Sequence, residues 1–235
     1  MENKKTIVGI IIIIILIVTL VGVSYYYYKF NSEQVNKLTE ESNILLQTDI
    51  ASEEINQEIK TEKDFAIVEK AMKEYLVKMQ NIYKEIDEIS TSIDPNEIFN
   101  AQNVENKEFS KIDDIINDYK EKANSLLQQY KDIENEDNIK KFIEDKNFSR
   151  RKDYYVELYN SVMLNDVMKE EYTLLENKIE KKKDEILNKL AEIEDIEEFL
   201  DENQKYWKIT DNKIQFTNVS IMTQYYELLS KILEE

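Results

Sequence analysis

Apolar side chains recur at helical spacing along most of this chain. From Phe65 the positions Val68, Met72, Tyr75, Met79, Ile82, Ile86, Ile89 and Ile93 follow in alternating steps of three and four, the spacing that lays one continuous apolar seam along a helix. Phe109, Ile112, Ile116, Tyr119, Ala123, Leu126, Tyr130 and Ile133 repeat the pattern. The two runs predict long helices packed antiparallel, with Met72, Met79, Ile86, Ile116, Leu126 and Ile133 in one core. Between them Ser92-Ile93-Asp94-Pro95 predicts a stop and a restart, with Asp94 as N-cap, Pro95 at the first helical position and Glu97 completing a capping box.

A polar break over 134–138 and a short apolar patch at Ile139, Phe142 and Ile143 come next. A third long helix is predicted from near Phe148, carried by Tyr155, Leu158, Val162, Met168, Tyr172, Leu175, Ile179, Ile186, Leu190, Ile193, Ile196 and Leu200. Asn165 and Lys182 interrupt this stripe. Such residues either reach water at the rim or, if buried, set the register of a bundle. The period then changes: Trp207, Ile209, Ile214 and Phe216 alternate with polar residues on either side of Asp211-Asn212. That is the pattern of a hairpin over 206–216 with a two-residue turn, pairing 209 with 214 and 207 with 216 on one apolar face. Met222, Tyr225, Tyr226, Leu229 and Leu233 predict a closing helix.

The N-terminus follows a different rule. Residues 7–28 carry no charge and as a helix would span about 33 Å, enough to cross roughly 30 Å of bilayer hydrocarbon. Lys4 and Lys5 precede the run, and Tyr25, Tyr26, Tyr27 and Tyr28 end it as an aromatic belt. This asymmetry predicts a signal anchor with residues 1–6 inside and the body outside the cytoplasmic membrane. Cleavage after Ser24, with Gly22 and Ser24 as the small residues of a signal-peptide site, is the competing reading. A cytoplasmic body would require basic residues after the span, where only Lys29 follows closely. Val35, Leu38, Leu45 and Leu46 then predict a juxtamembrane stalk helix within 29–52, leaving 53–235 as one acidic helical domain.

Composition narrows the chemistry. The chain holds two glycines, both in the apolar N-terminal run, and a single proline, so the body lacks the residues of phosphate-binding loops and dinucleotide folds. Without cysteine or histidine there are no disulfides, no thiol or imidazole dyads, and no zinc or haem sites built on those ligands. Adjacent acids such as Glu134/Glu136 and Glu194/Asp195 could serve as acid and base, but such pairs arise by chance among 49 acidic residues. A formal net charge of −18 repels nucleic acid and anionic lipid headgroups. The abundance of Ile, Asn, Lys and Glu points to an AT-rich bacterial genome.

The expected fold is all-α: an antiparallel bundle of long coiled-coil-like helices after one transmembrane helix, with a small C-terminal hairpin. No catalytic residue, cofactor or metal ligand is expected. The expected function is a membrane-anchored, extracytoplasmic interaction module, a cell-envelope scaffold or assembly factor. Its partner would be another envelope protein or a second copy of the chain. The alternative is a ligand-binding or sensory accessory domain acting through a partner protein. Trp207, Ile209, Ile214 and Phe216 are the candidate contact residues, because tryptophan is enriched at binding hot spots; their other role would be to seal the end of the bundle.

Overall fold

A computed structural model describes residues 25–104, 107–211 and 213–234. The chain is mostly helical with one two-stranded antiparallel sheet near the C-terminus. Helix α1 is described over 25–45; then come α2 (Asp64–Ser92), α3 (Pro95–Ile98), α4 (Ser110–Glu134), α5 (Glu136–Glu144), α6 (Lys152–Met163) and α7 (Asp166–Glu202). Strands β1 (Trp207–Thr210) and β2 (Lys213–Phe216) and helix α8 (Val219–Glu234) complete the order. Apart from Tyr25–Tyr28, the predicted span over 7–28 lies outside the described residues. No described helix is long and apolar enough to cross a membrane.

The chain divides into two compact units. The first takes 25–49, Glu53–Tyr75 and Ile139–Met168. Its core holds Leu38, Leu45, Phe65, Val68, Met72, Tyr75, Ile139, Ile143, Tyr159 and Met163. Helix α1, expected to stand as a stalk, is packed into this unit: Gln34, Leu38, Glu41, Ser42 and Leu45 are buried at helical spacing.

The second unit takes Ile50–Ser52, Leu76–Asn138 and the chain from Lys169 onward. Lys120 pairs with Glu194 and Lys131 with Glu180, so α4 and α7 run antiparallel. Lys182 pairs with Asp87 and Lys189 donates to the Ser90 carbonyl, so α7 runs parallel to the end of α2. The expected antiparallel arrangement of α2 and α4 follows. Met79, Ile86, Ile112, Ile116, Leu126, Ile179, Ile186, Leu190, Ile193, Ile196 and Leu200 are buried at the predicted positions. Met72 belongs to the first unit rather than to this core, and Ile89, Tyr119 and Ile133 are half-buried.

The third predicted helix is in fact two. Asn165 stands between α6 and α7, and its side-chain oxygen accepts from the Met168 amide at 2.8 Å, so it is a helix cap and neither a rim residue nor a buried register pin. The break shifts the phase of α6, which buries Tyr159 and Met163 while Leu158 and Val162 are half-buried. Lys182 does lie at the rim, paired with Asp87 and Glu185. Asp94 caps α3 by accepting from the Asn96 amide, with Pro95 in its first turn, but α3 lasts only four residues. Without glycine in the body, left-handed backbone falls to Lys63, Lys107, Arg151 and Asp211, with φ between 50° and 61°. Each costs on the order of 1–2 kcal/mol relative to ordinary backbone.

Candidate functional site

The hairpin forms with the predicted register, Trp207 opposite Phe216 and Ile209 opposite Ile214. Asp211, the first turn residue, takes the left-handed conformation that such a turn requires. Its four apolar residues do not share one fate. Trp207 is only 2% exposed; its indole N–H donates to the Leu200 carbonyl at 2.7 Å, Phe109 lies 6.3 Å away and the Lys107 ammonium sits 4.9 Å over the ring. It is a core residue. Ile209 is exposed, while Ile214 and Phe216 are half-buried.

Helix α8 carries exposed apolar side chains as well. Asn218 caps it by accepting from the Ser220 amide, and Tyr225, Leu229 and Ile232 turn inward. Met222 and Tyr226, expected in its core stripe, face out instead. With Val219 they form an i, i+3, i+7 row, Val219 73% and Tyr226 56% exposed. Tyr225 and Leu229 turn inward as expected and Ile232 joins them, with the Phe216 ring tilted against Tyr225 at 5.0 Å. The side chain of Leu233 lies outside the described residues.

Charged clusters are the second feature, and of their members only Glu134 and Glu194 stood out in the sequence. In the first unit the Lys73 ammonium, 1% exposed, donates to Glu41 and Glu69 at 2.7 Å each and to the Glu58 carbonyl. Glu69 also accepts from the backbone of Lys60 and Thr61 and from the Thr61 hydroxyl. Burial pushes the Glu41 and Glu69 carboxyls up, but the combined hydrogen bonds hold both below the ordinary value of 4.5. Every charge in this cluster is paired, so its role is architectural.

In the second unit Glu134 lies beside Glu176, and burial together with that neighbour pushes its carboxyl up to about 7. Burial, followed by Asp113 and Glu194, raises Glu197 to about 7 as well. A carboxyl whose folded pKa exceeds its unfolded value of 4.5 binds more protons folded than unfolded between those limits, so stability falls as pH rises through that window. For Glu41 and Glu69 the sign is opposite: their contribution is present above 4.5 and is lost as pH falls through their lowered folded values. Thermal melting of the protein should therefore peak near pH 5. Each raised carboxyl should cost on the order of 1 kcal/mol by pH 8 after allowance for solvent screening. Melting temperatures that rise steadily from pH 5 to pH 8 would contradict the assignment. Among the described residues no group of three or more acidic side chains is disposed to hold a metal ion.

The third feature is a cavity of about 310 Å³ in the first unit, between Tyr27 and Phe30 of α1, the turn at Lys63-Asp64, and Ser149, Arg150, Arg151 and Tyr155 around the start of α6. Asp64 ties the segments together, accepting from the Ser149 amide and hydroxyl and from the Arg150 amide. These residues lie far apart in sequence, and the adjacent arginines were the only signal there. Comparison of the chain with protein-family models, curated proteins and solved structures gives no match, so its function has to be read from these surfaces.

Proposed function

We propose that the protein is a non-enzymatic interaction module, tethered to the cytoplasmic membrane through residues 7–28 with its body outside, and that it acts as a scaffold or assembly factor of the cell envelope. The observation that carries the interaction role is the exposed apolar row of α8, Val219, Met222 and Tyr226, with Ile209 also exposed on the hairpin. The long helices α2, α4 and α7 bury their stripes, although α7 leaves Val167 and Leu174 exposed; α8 keeps a row of three apolar side chains in water. A row at i, i+3 and i+7 is what one helix offers to the groove of another protein. The charge asymmetry around residues 7–28 supports the tether and its direction. A second reading, a ligand-binding accessory domain acting through a partner, is supported by the cavity beside Arg150 and Arg151.

The absence of cysteine makes the test direct. Tyr226→Cys gives the chain a single thiol on the exposed row, at a site where substitution changes stability by no more than about 0.5 kcal/mol. A membrane-impermeant maleimide added to intact protoplasts should label it, and a maleimide carrying a photo-crosslinker should join the chain to one recurrent envelope protein. A thiol labelled only after lysis would rule out the outer-face orientation. A labelled thiol that crosslinks to nothing recurrent would rule out the interaction surface.

A further inference from the structure

Arg150 and Arg151 are the only arginines in the chain, and both line the same cavity, together with Lys63. Acidic residues outnumber basic ones 49 to 31, and lysines elsewhere are repeatedly paired with them. Yet among the described residues neither guanidinium nor the Lys63 ammonium takes part in an ion pair. Lys63 instead sits 4.2 Å over the Phe30 ring. The only carboxylate in the lining, Asp64, is committed to the backbone and hydroxyl of the arginine turn. Both Lys63 and Arg151 hold left-handed backbone, at φ 55° and 50°, so two of the three cations are placed at a conformational cost. The result is a pocket with aromatic walls and three solvent-exposed cations outside any ion pair, one of them over an aromatic ring, at the lower end of the size of small-ligand sites.

We infer that this cavity is a binding site for a phosphate group, supplied by the headgroup of an anionic phospholipid at the membrane surface from which the chain emerges. Arginine forks match the oxygens of a phosphate two at a time, and an ammonium adds a point charge. The aromatic walls suit the glycerol and first carbons of a lipid, and Tyr27 and Phe30 stand at the end of the proposed span. The lipid as source rests on the anchor reading above; phosphate recognition by the three cations does not. A net charge of −18 discourages general anion binding, so occupancy at this site would be specific.

The two arginines provide the probe. Full-length protein labelled with 15N-arginine in maltoside micelles should show two side-chain Nε–H resonances, titrated separately with phosphatidylglycerol mixed into the micelles and with free glycerol phosphate. The expected result is a saturable shift of both resonances with phosphatidylglycerol. Lys63→Gln, which leaves both reporters in place, should weaken it about tenfold, as for the loss of one charge-assisted hydrogen bond. Arg150→Gln should weaken it at least as much, read at the remaining Arg151 signal. Shifts that grow without saturation and are unchanged in Lys63→Gln, or no shift with either compound, would overturn the site. Saturable binding of glycerol phosphate without phosphatidylglycerol binding would overturn the lipid source and leave the site to soluble phosphate esters. An outward body in the protoplast labelling with no arginine shift would refute this site while sparing the anchor.

Discussion

Replacing Lys73 with methionine should destabilise the folded chain by about 3–5 kcal/mol, because it leaves two buried carboxylates facing each other without their shared cation. Glu69 is fully buried and Glu41 nearly so, and each gives one oxygen to the ammonium at 2.7 Å. Methionine fills most of the volume, so the loss is electrostatic and hydrogen-bonded rather than a cavity. Part of the penalty should vanish at mildly acidic pH, where the stranded carboxyls take up protons. Urea unfolding followed by helical circular dichroism, at pH 5 and pH 8, reads both quantities. A loss below about 1 kcal/mol at pH 8, or one of equal size at the two values, would show that the cluster is not the paired, water-excluded network described.

Trp207→Ala should cost a similar amount, about 3–5 kcal/mol, the range for truncating a large buried aromatic. The substitution removes the packing on Phe109, the seat of the Lys107 ammonium and the donor to the Leu200 carbonyl. That carbonyl lies in the last turn of α7 (Asp166–Glu202), where helical acceptors lack intrahelical partners. Trp207→Phe separates the contributions: it keeps most of the apolar area and loses the donor, so it should cost only about 1–2 kcal/mol. An alanine variant melting within a degree of the parent would show that the hairpin is an appendage and not a seal on the end of α7.

Much of the secondary structure was legible from spacing alone, because a helix or a strand decides by geometry which residues share a face. The seams of α2, α4 and α7 and the register of the hairpin followed in this way, down to the turn at Asp211. Reading failed where a polar residue does its work through the backbone. Asn165 interrupts an apolar stripe in the same way whether it lies on a helix or caps the next one. Only the accepted Met168 amide separates the two, and the cap moved the buried face of α6 by one residue.

The sequence by itself determined that this chain forms long helices, that it has no cysteine or histidine for the chemistry of those side chains, and that the composition of its first 28 residues differs from the rest. What only the tertiary structure decided is which faces are covered. Glu69 and Lys73 stand four apart, as do many exposed pairs on these helices, and an i, i+4 pair reads the same in water as in a core. It is the packing of α1, through Glu41, that makes this pair buried. Likewise Trp207 is enclosed, with Phe109 beside it, while Tyr226 stays open and its neighbour Tyr225 packs with Phe216. The arginine cavity exists only because folding brings residues near 30, 63 and 150 to one place. Periodicity reports what one segment offers; burial and binding depend on what distant segments bring to it.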